Sequence, residues 1–535
     1  MIDVRTNPDR YHHWTLKLGE QIAELVLDVD EHETVGAGYQ LKMNSYDLGV
    51  DIELADALER LRLSYPQITT VLVRSAKERV FCAGANIGML AGATHQHKVN
   101  FCKFTNETRL FMEDTPAHFI AVIEGTAAGG GYELALSCDT IVLVDDGSAS
   151  VSLPEVALLA VLPGTGGLTR LTDKRNLRRD RADYFCTLEE GIKGQRALAW
   201  RLVDHLVPRS GLSELLDELV ISHQRTGPPP GPGITLNEIP RELTLNSVSY
   251  SHIQANIDRS NGVVTIEISG PTEAPSSSGE LLSEGDNSWL IATARELNDL
   301  ICHLRFNEST LGTLLVKSRG DLAIAKRYTE LLERERGEWI VDEGLALWRR
   351  TLARLDLTSR SIMAAVDSSS CFVGPLAELV FASDRSFFLD DAQAGLVVTR
   401  LNLEAFPMMN GLSRLATRFW GHPDELARLE SIIDHPLDAA TAQEFGLVTF
   451  TPDTFDWEDE LRLALDGRNA FSPDALTAME ANLRFAGPES MATKIFGRLS
   501  AWQNWVFNRP NAVGPEGALQ RYGTGLATNF QSERI

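Results

Sequence analysis

The feature that most constrains the fold is a repeat, because the second half of the chain echoes the first half. Four segments recur in the same order and at nearly the same spacing. The matching pairs are 69–73 with 311–316, 120–123 with 362–366, 133–139 with 378–384, and 167–171 with 411–415. Self-similarity of this kind indicates an internal duplication of a whole domain.

Each half alternates short apolar runs with segments of helical periodicity. In the first half the predicted strands are 22–29, 69–74, 120–123 and 141–144. The predicted helices are 51–63, 97–111, 132–137, 194–200 and 212–221, and residues 81–86 are predicted to form a loop. Strands that alternate with helices are typical of an α/β fold with parallel strands.

Two segments rich in proline, glycine and serine separate the halves. Residues 227–233 contain four prolines and three glycines, which neither a helix nor a central strand accommodates. A similar segment covers 270–286, and between the two only 262–268 is predicted to be a strand. We therefore predict a first domain over 1–225, a linker with one strand over 226–285, and a second domain over 286–535.

A glycine-rich segment follows one predicted strand and opens the next predicted helix. It consists of Gly129, Gly130 and Gly131, with Glu133 two residues later and Glu155 further along the chain. Backbone N–H groups at such a helix start can stabilise a negatively charged oxygen. Two carboxylates beside that position favour acid/base chemistry on a carbonyl compound. Alternatively, the glycines serve only tight turns or close packing, and the two acids are a solvated helix residue and a helix N-terminal charge.

Two pairs of motifs resemble those of the crotonase (enoyl-CoA hydratase/isomerase) superfamily. The first pair is 81–87, Phe-Cys-Ala-Gly-Ala-Asn-Ile, and 129–135, Gly-Gly-Gly-Tyr-Glu-Leu-Ala. The second is 153–155, Leu-Pro-Glu, and 162–167, Leu-Pro-Gly-Thr-Gly-Gly. Within the superfamily, residues 38–51 and 100–109 and the tandem layout resemble the ring-opening lyases of aerobic benzoyl-CoA degradation. The resemblance implies tandem crotonase-like domains built as ββα spirals.

The resemblance also implies roles for individual residues. The N–H groups of Ala85 and Gly130 would hold a thioester oxygen, and Glu133 and Glu155 would act as acid and base. The same comparison implies an active-site thiol at Cys102, although a cysteine is more often a small buried apolar residue. Three lysines near the motifs are candidates for binding the phosphates of CoA, or are solvated surface residues: Lys42, Lys98 and Lys103.

The second half lacks the residues that carry this chemistry. Pro375 occupies the position in the second repeat that matches Gly130, and it has no N–H to donate. Glu378 matches Glu133, but the position that matches Glu155 falls near Thr399 and Arg400. We therefore predict a degenerate second domain that serves as scaffold.

Composition excludes several other classes of protein. A formal net charge of −24 argues against nonspecific nucleic-acid binding, and no apolar stretch is long enough to cross a membrane. The six cysteines are spread singly and are predicted to be free thiols in a cytoplasmic protein. No clustered His/Cys set, dinucleotide-binding fingerprint or phosphate loop is present, so we expect neither a metal nor a cofactor.

The resemblance implies that the substrate is the 2,3-epoxide of benzoyl-CoA or its dihydrodiol form. Ring opening with water would release formate and 3,4-didehydroadipyl-CoA semialdehyde. One alternative is an enoyl-CoA hydratase or isomerase that uses the same pair of acids. Another is a non-catalytic acyl-CoA-binding or scaffold protein, which only the second half suggests. The resemblance also implies a homodimer.

Overall fold

The computed structural model describes residues 1–390, 393 and 395–535. The chain divides into two compact units, of which one comprises Ile2–Glu238 and the other Ile239–Ile535. None of the helices in the described residues is long and apolar enough to cross a membrane.

The first unit contains eleven strands and nine α-helices. The strands are β1 (Trp14–Leu18), β2 (Ile22–Leu27), β3 (Ser45–Tyr46), β4 (Thr70–Ser75), β5 (Val80–Cys82), β6 (Gly84–Ala85), β7 (His118–Ile123), β8 (Thr126–Ala128), β9 (Thr140–Val144), β10 (Ser150–Ser152) and β11 (His205–Val207). The helices are α1 (Leu48–Leu63), α2 (Ile87–Gly92), α3 (His95–Asp114), α4 (Gly130–Ser137), α5 (Glu155–Leu159), α6 (Gly167–Thr169), α7 (Arg179–Cys186), α8 (Gly194–Ala199) and α9 (Leu212–Ser222).

Two sheets organise this unit. The larger has the order β1-β2-β4-β7-β9-β11, in which β1 is antiparallel to β2 and all other pairs are parallel. The smaller has the parallel order β10-β8-β5, and β3 pairs separately with β6. Helix α9 packs Leu212 and Leu216 against apolar residues of β4, β7 and β9, which buries one face of the larger sheet. This sheet is therefore a rigid support for the loops at its strand ends.

The second unit contains ten strands and fifteen α-helices within the described residues. The strands are β12 (Glu242–Leu243), β13 (Ser247–Ser249), β14 (Ile253–Asp258), β15 (Val263–Ser269), β16 (Thr313–Arg319), β17 (Ser361–Val366), β18 (Phe372–Val373), β19 (Arg385–Phe388), β20 (Leu396–Val397) and β21 (Pro436–Leu437). The helices are α10 (Ser278–Glu284), α11 (Trp289–Asn307), α12 (Leu322–Arg334), α13 (Trp339–Asp356), α14 (Ala377–Phe381), α15 (Arg400–Glu404), α16 (Arg414–Arg418), α17 (Pro423–Arg428), α18 (Ala439–Glu444), α19 (Trp457–Asn469), α20 (Pro473–Leu483), α21 (Met491–Thr493), α22 (Ser500–Val506), α23 (Pro510–Val513) and α24 (Ala518–Arg521).

The topology of the second unit repeats that of the first. Its larger sheet has the order β12-β13-β14-β15-β16-β17-β19, and the parallel run β15-β16-β17-β19 corresponds to β2-β4-β7-β9. A small sheet, β18-β20-β21, contains a parallel pair that corresponds to β8 and β10. Helix α19 covers the larger sheet through Leu461, as α9 covers its counterpart. The predicted tandem α/β fold is thus confirmed.

Two local predictions were wrong. The predicted linker over 226–285 contains β12 to β15, not one strand, and these strands belong to the larger sheet of the second unit. In β14 the buried residues Ile253, Ala255 and Ile257 alternate with more exposed ones, which is the period of a strand with one buried face. The predicted loop at 81–86 includes most of β5 and the short strand β6, whose pairing with β3 fixes its position.

Candidate active site

Two backbone segments of the first unit meet at the start of α4. A β-carbon placed on Gly84 would lie 2.6 Å from the backbone nitrogen of Gly130, so the two segments are in close contact. Asn86 donates its N–H to the carbonyl of Tyr46 in β3. Since successive N–H groups along a strand point in opposite directions, the N–H of Ala85 points away from β3. The two predicted donors, Ala85 and Gly130, therefore lie on adjacent segments.

Gly129 gives the chain the conformation that exposes the start of α4. Its φ is +54° and its ψ is −130°, a region that residues with a β-carbon rarely occupy. A β-carbon there would also lie 2.8 Å from Oε1 of Glu155. The predicted second acid thus lies directly beside the glycine turn, and the triple glycine has a structural reason.

Glu133 is buried on the first turn of α4, with 2% of its surface exposed. Its Oε1 accepts hydrogen bonds from the N–H groups of Thr165, at 2.9 Å, and Gly167, at 2.7 Å. Its Oε2 accepts a hydrogen bond from the hydroxyl of Thr165. Burial raises the pKa of Glu133, and the three donated hydrogen bonds oppose that shift. Glu133 is therefore not a solvent-exposed helix residue, which was the alternative interpretation of its sequence position.

Glu155 begins α5 and is also buried, but its surroundings differ. Within the described residues, its buried Oε2 has no hydrogen-bond partner. Burial, with a smaller contribution from the charge of Glu133, raises the pKa of Glu155 from 4.5 to about 7. A carboxyl group with such a pKa can take up and release a proton near neutral pH.

Cys102 lies on α3, next to the segment that holds Glu133. Its Sγ is 4.0 Å from the position of a β-carbon on Gly164, and Asn106 donates its side-chain N–H to the carbonyls of both Cys102 and Gly164. Burial, reinforced by the charges of Glu133 and Asp51, raises the pKa of the Cys102 thiol to about 11. The thiol therefore stays protonated at neutral pH and is a weak nucleophile.

The three candidate lysines lie on two different elements. Lys42 is exposed and precedes β3, whereas Lys98 and Lys103 are half-buried on α3. Their role in CoA binding stays a prediction. In the described part of the chain, no group of three or more His, Cys, Asp or Glu side chains is arranged to hold a metal ion.

The corresponding place in the second unit holds an ion pair. Glu378 is fully buried, and its Oε2 lies 2.9 Å from Nη1 of Arg414, which also pairs with Asp356 at 2.6 Å. The amide of Asn402 donates to the other oxygen of Glu378 at 2.8 Å. Burial raises the pKa of Glu378 to about 6, and the charge of Arg414 and the hydrogen bonds from Asn402 and Arg414 oppose that shift. Arg400, the first residue of α15, stands where Glu155 begins α5 in the first unit.

Sequence reasoning did not identify the residues that hold Glu133. Thr165 and Gly167 lie in the motif at 162–167, but the sequence alone predicts no role for either. The pattern at 164–167, a threonine flanked by glycines, is typical of a tight turn. Such a turn offers backbone N–H groups and a hydroxyl group as hydrogen-bond donors.

Comparison with known proteins places the chain in a family. The family model described as enoyl-CoA hydratase/isomerase matches residues 40–225, which contain both glycine segments and both glutamates. Together with the full-length relative described next, this match shows that the chain belongs to the crotonase (enoyl-CoA hydratase/isomerase) superfamily.

One relative, a lyase, matches along the whole chain. The chain is 47% identical to benzoyl-CoA-dihydrodiol lyase of Aromatoleum evansii over 100% of this chain and 98% of that protein. It is 32% identical to the fatty acid oxidation complex subunit alpha of Aliivibrio fischeri, over 39% of this chain and 28% of that protein. A solved enoyl-CoA hydratase from Bacillus anthracis is 28% identical over 39% of this chain and 76% of its own, with a TM-score of 0.34.

Proposed function

We propose that this protein opens the ring of 2,3-epoxybenzoyl-CoA, or of the dihydrodiol form of benzoyl-CoA, with water. The products are formate and 3,4-didehydroadipyl-CoA semialdehyde. The observation that carries the proposal is the 47% identity to benzoyl-CoA-dihydrodiol lyase, which extends over both halves of the chain. The arrangement of two donors and two acids in the first unit supports it.

The backbone donors would act on the thioester group. The N–H groups of Ala85 and Gly130 would hold the thioester oxygen and stabilise the negative charge that it gains when a carbon–carbon bond of the ring breaks. Donors fixed by strand pairing and by a helix start need little reorganisation when that charge develops. Removal of one such donor in other enzymes costs on the order of 3 kcal/mol of transition-state stabilisation.

The two glutamates would divide the proton transfers between them. Glu133 is held by three donors, which favour its charged form, so we assign it the role of orienting and activating water. Glu155 has an unpartnered oxygen and a pKa near 7, so we assign it the role of giving and taking protons. Two carboxyl groups in different environments can thus serve different steps. Cys102 would position the ring as a neutral thiol.

The test is turnover of 2,3-epoxybenzoyl-CoA with formate measured as a product, alongside crotonyl-CoA under the same conditions. We expect one formate for each 2,3-epoxybenzoyl-CoA consumed, and little hydration of crotonyl-CoA. The second candidate is an enoyl-CoA hydratase or isomerase, which the match of residues 40–225 to that family model favours. Rapid hydration of crotonyl-CoA without formate would select this second candidate.

We further propose that the reaction needs no cofactor other than the CoA of the substrate, and that the protein works as a homodimer in the cytoplasm. All six cysteines are free thiols, which suits a reducing compartment. Unchanged turnover after dialysis against EDTA would support a reaction without a metal cofactor. Light scattering of the purified protein tests the homodimer, and a monomer at assay concentration would contradict it.

A further inference from the structure

A buried hydroxyl group in the first unit has no partner. Tyr46, in the short strand β3, is 2% exposed, and its Oη makes no hydrogen bond within the described residues. Buried polar groups are nearly always hydrogen-bonded, because an unpaired group loses its interaction with water and gains nothing in return. Because no described residue is its partner, the hydroxyl is free to bond to a bound ligand.

The Tyr46 hydroxyl lies against the start of α4. A β-carbon placed on Gly130 would lie 2.1 Å from Tyr46 Oη and 2.9 Å from Cζ, so the phenol reaches the residue whose N–H is a predicted donor. Tyr46 is also the partner of Ala85 in the register of β3 and β6. The unpaired hydroxyl is thus close to both segments that supply the backbone donors.

The ring of Tyr46 is held in place from two sides. The Phe101 ring lies 5.9 Å from it between centroids, and the guanidinium of Arg109 lies 5.8 Å from the Tyr46 centroid. Arg109 is fixed in turn by a buried ion pair with Asp51 at 2.9 Å. A side chain held in this way keeps one orientation, as a preorganised donor requires.

The charge state of Tyr46 suits a donor. Burial raises the pKa of the phenol well above 10, and the charges of Asp51 and Glu133 act in the same direction against the opposing effect of Arg109. The hydroxyl therefore keeps its proton at neutral pH. It can donate a hydrogen bond but cannot act as a base.

We propose that Tyr46 is a further catalytic residue, whose hydroxyl donates a third hydrogen bond to the thioester oxygen beside the N–H groups of Ala85 and Gly130. This inference rests on the proposed function in that those two groups bind the thioester. The hydrogen bond would strengthen as the oxygen gains negative charge, so its main effect falls on turnover and less on substrate binding.

The test combines Tyr46→Phe with a spectroscopic measurement. Infrared difference spectra of bound benzoyl-CoA, labelled with ¹³C at the thioester carbonyl, report the hydrogen bonds to that oxygen. We expect the carbonyl band of the wild-type complex to lie below that of free benzoyl-CoA, and Tyr46→Phe to reverse part of this shift. Turnover of 2,3-epoxybenzoyl-CoA should fall at least about 10-fold at nearly constant KM, since two donors remain.

Tyr132→Phe is the matched control. Tyr132 is equally buried, but its hydroxyl donates to the carbonyl of Leu202 at 2.6 Å. Its loss should lower the thermal midpoint and leave the turnover of folded enzyme and the carbonyl band unchanged. Tyr46→Phe should show the reverse pattern, with an unchanged or higher midpoint, because it removes an unpaired polar group.

Two results would overturn the proposal. One is a folded Tyr46→Phe protein with the wild-type carbonyl band and turnover within about twofold. The other is a wild-type complex whose carbonyl band equals that of free benzoyl-CoA. Failure of the wild-type enzyme to convert 2,3-epoxybenzoyl-CoA would instead refute the proposed ring opening, while the band of bound benzoyl-CoA still tests Tyr46.

Discussion

Glu133 and Glu378 occupy matching positions in the two repeats, and burial raises the pKa of both, but their hydrogen-bond partners differ. Among the described residues, the donors to Glu133 are neutral, namely Thr165 and Gly167. Glu378 pairs with the guanidinium of Arg414, which it shares with Asp356. In the first unit the matching arginine, Arg170, donates to the carbonyl of Thr165 and pairs with Glu113. Whether an arginine reaches the carboxylate therefore distinguishes the two glutamates.

Substitution of Glu155 by glutamine should change how stability depends on pH. The pKa of Glu155 is about 7 in the folded protein and about 4.5 in the unfolded chain, so the folded state binds the proton more tightly. The wild type therefore loses stability as the pH rises from about 4.5 to about 7. Glu155→Gln does not titrate and should gain on the order of 3 kcal/mol relative to the wild type over that range.

Urea unfolding of both proteins at several pH values measures this difference. A free-energy difference between Glu155→Gln and the wild type that does not vary with pH would show that Glu155 has an ordinary pKa in the folded state.

Thr165→Val tests the hydrogen bonds that hold Glu133. Valine keeps the N–H that Glu133 Oε1 accepts but loses the hydroxyl bonded to Oε2. The pKa of Glu133 should rise, and turnover should fall about 10-fold at neutral pH and recover partly as the pH increases. The pH profile of kcat measures both effects. Thr187→Val, at an exposed position, is the control, and equal profiles for the two variants would remove Thr165 from the account of Glu133.

At the scale of elements, α4 begins where there is no free space for a side chain. A β-carbon at Gly130 would overlap the phenol of Tyr46, so Gly130→Ala should destabilise the protein by about 1–3 kcal/mol. Gly92, the last residue of α2, has no atom within 4 Å of its β-carbon position and serves as the control. Thermal unfolding compares the two. A Gly130→Ala protein as stable as Gly92→Ala would mean that Tyr46 moves aside freely.

Elements with a strong apolar periodicity were predicted from the sequence. Short strands that form only because they pair with another strand were not predicted. Helices α1 and α3 and strands β4 and β7 were predicted within a few residues of their bounds, because apolar spacing defines them. Strand β6 has two residues and exists only because it pairs with β3, which no local pattern reveals. Of the strands within the predicted linker, β15 was predicted, and β12, β13 and β14 were missed because they lie close to segments rich in proline and glycine.

The candidate site was predicted in part. The glycine turn and the two glutamates could be found because they are close in sequence and match a family motif. Tyr46 could not, because its relation to Gly130 depends on the packing of β3 under α4 and leaves no trace in spacing. The same holds for the contact of Thr165 with Glu133.

At the scale of the whole molecule, duplication kept the sheet and changed the chemistry. The parallel strands β15, β16, β17 and β19 repeat the order of the first unit. Apolar strand residues such as Met363 and Phe387 maintain a buried core. Pro375, in the turn before α14, has no N–H to donate, and Arg414 forms an ion pair with the remaining acid, Glu378. A fold can thus be retained for packing while its site loses function.

We assign the chemistry to the first unit and not to the second. The most direct test of this assignment measures formate release from 2,3-epoxybenzoyl-CoA by the variants Glu133→Gln and Glu378→Gln. Both variants replace a buried glutamate at the same position of the repeat, so each is the control for the other. We predict that Glu133→Gln lowers the rate at least about 100-fold, since general acid/base groups contribute that much, while Glu378→Gln stays within a few-fold of the wild type. A folded Glu378→Gln protein without activity, or a Glu133→Gln protein with normal formate release, would contradict the assignment of the chemistry to the first unit.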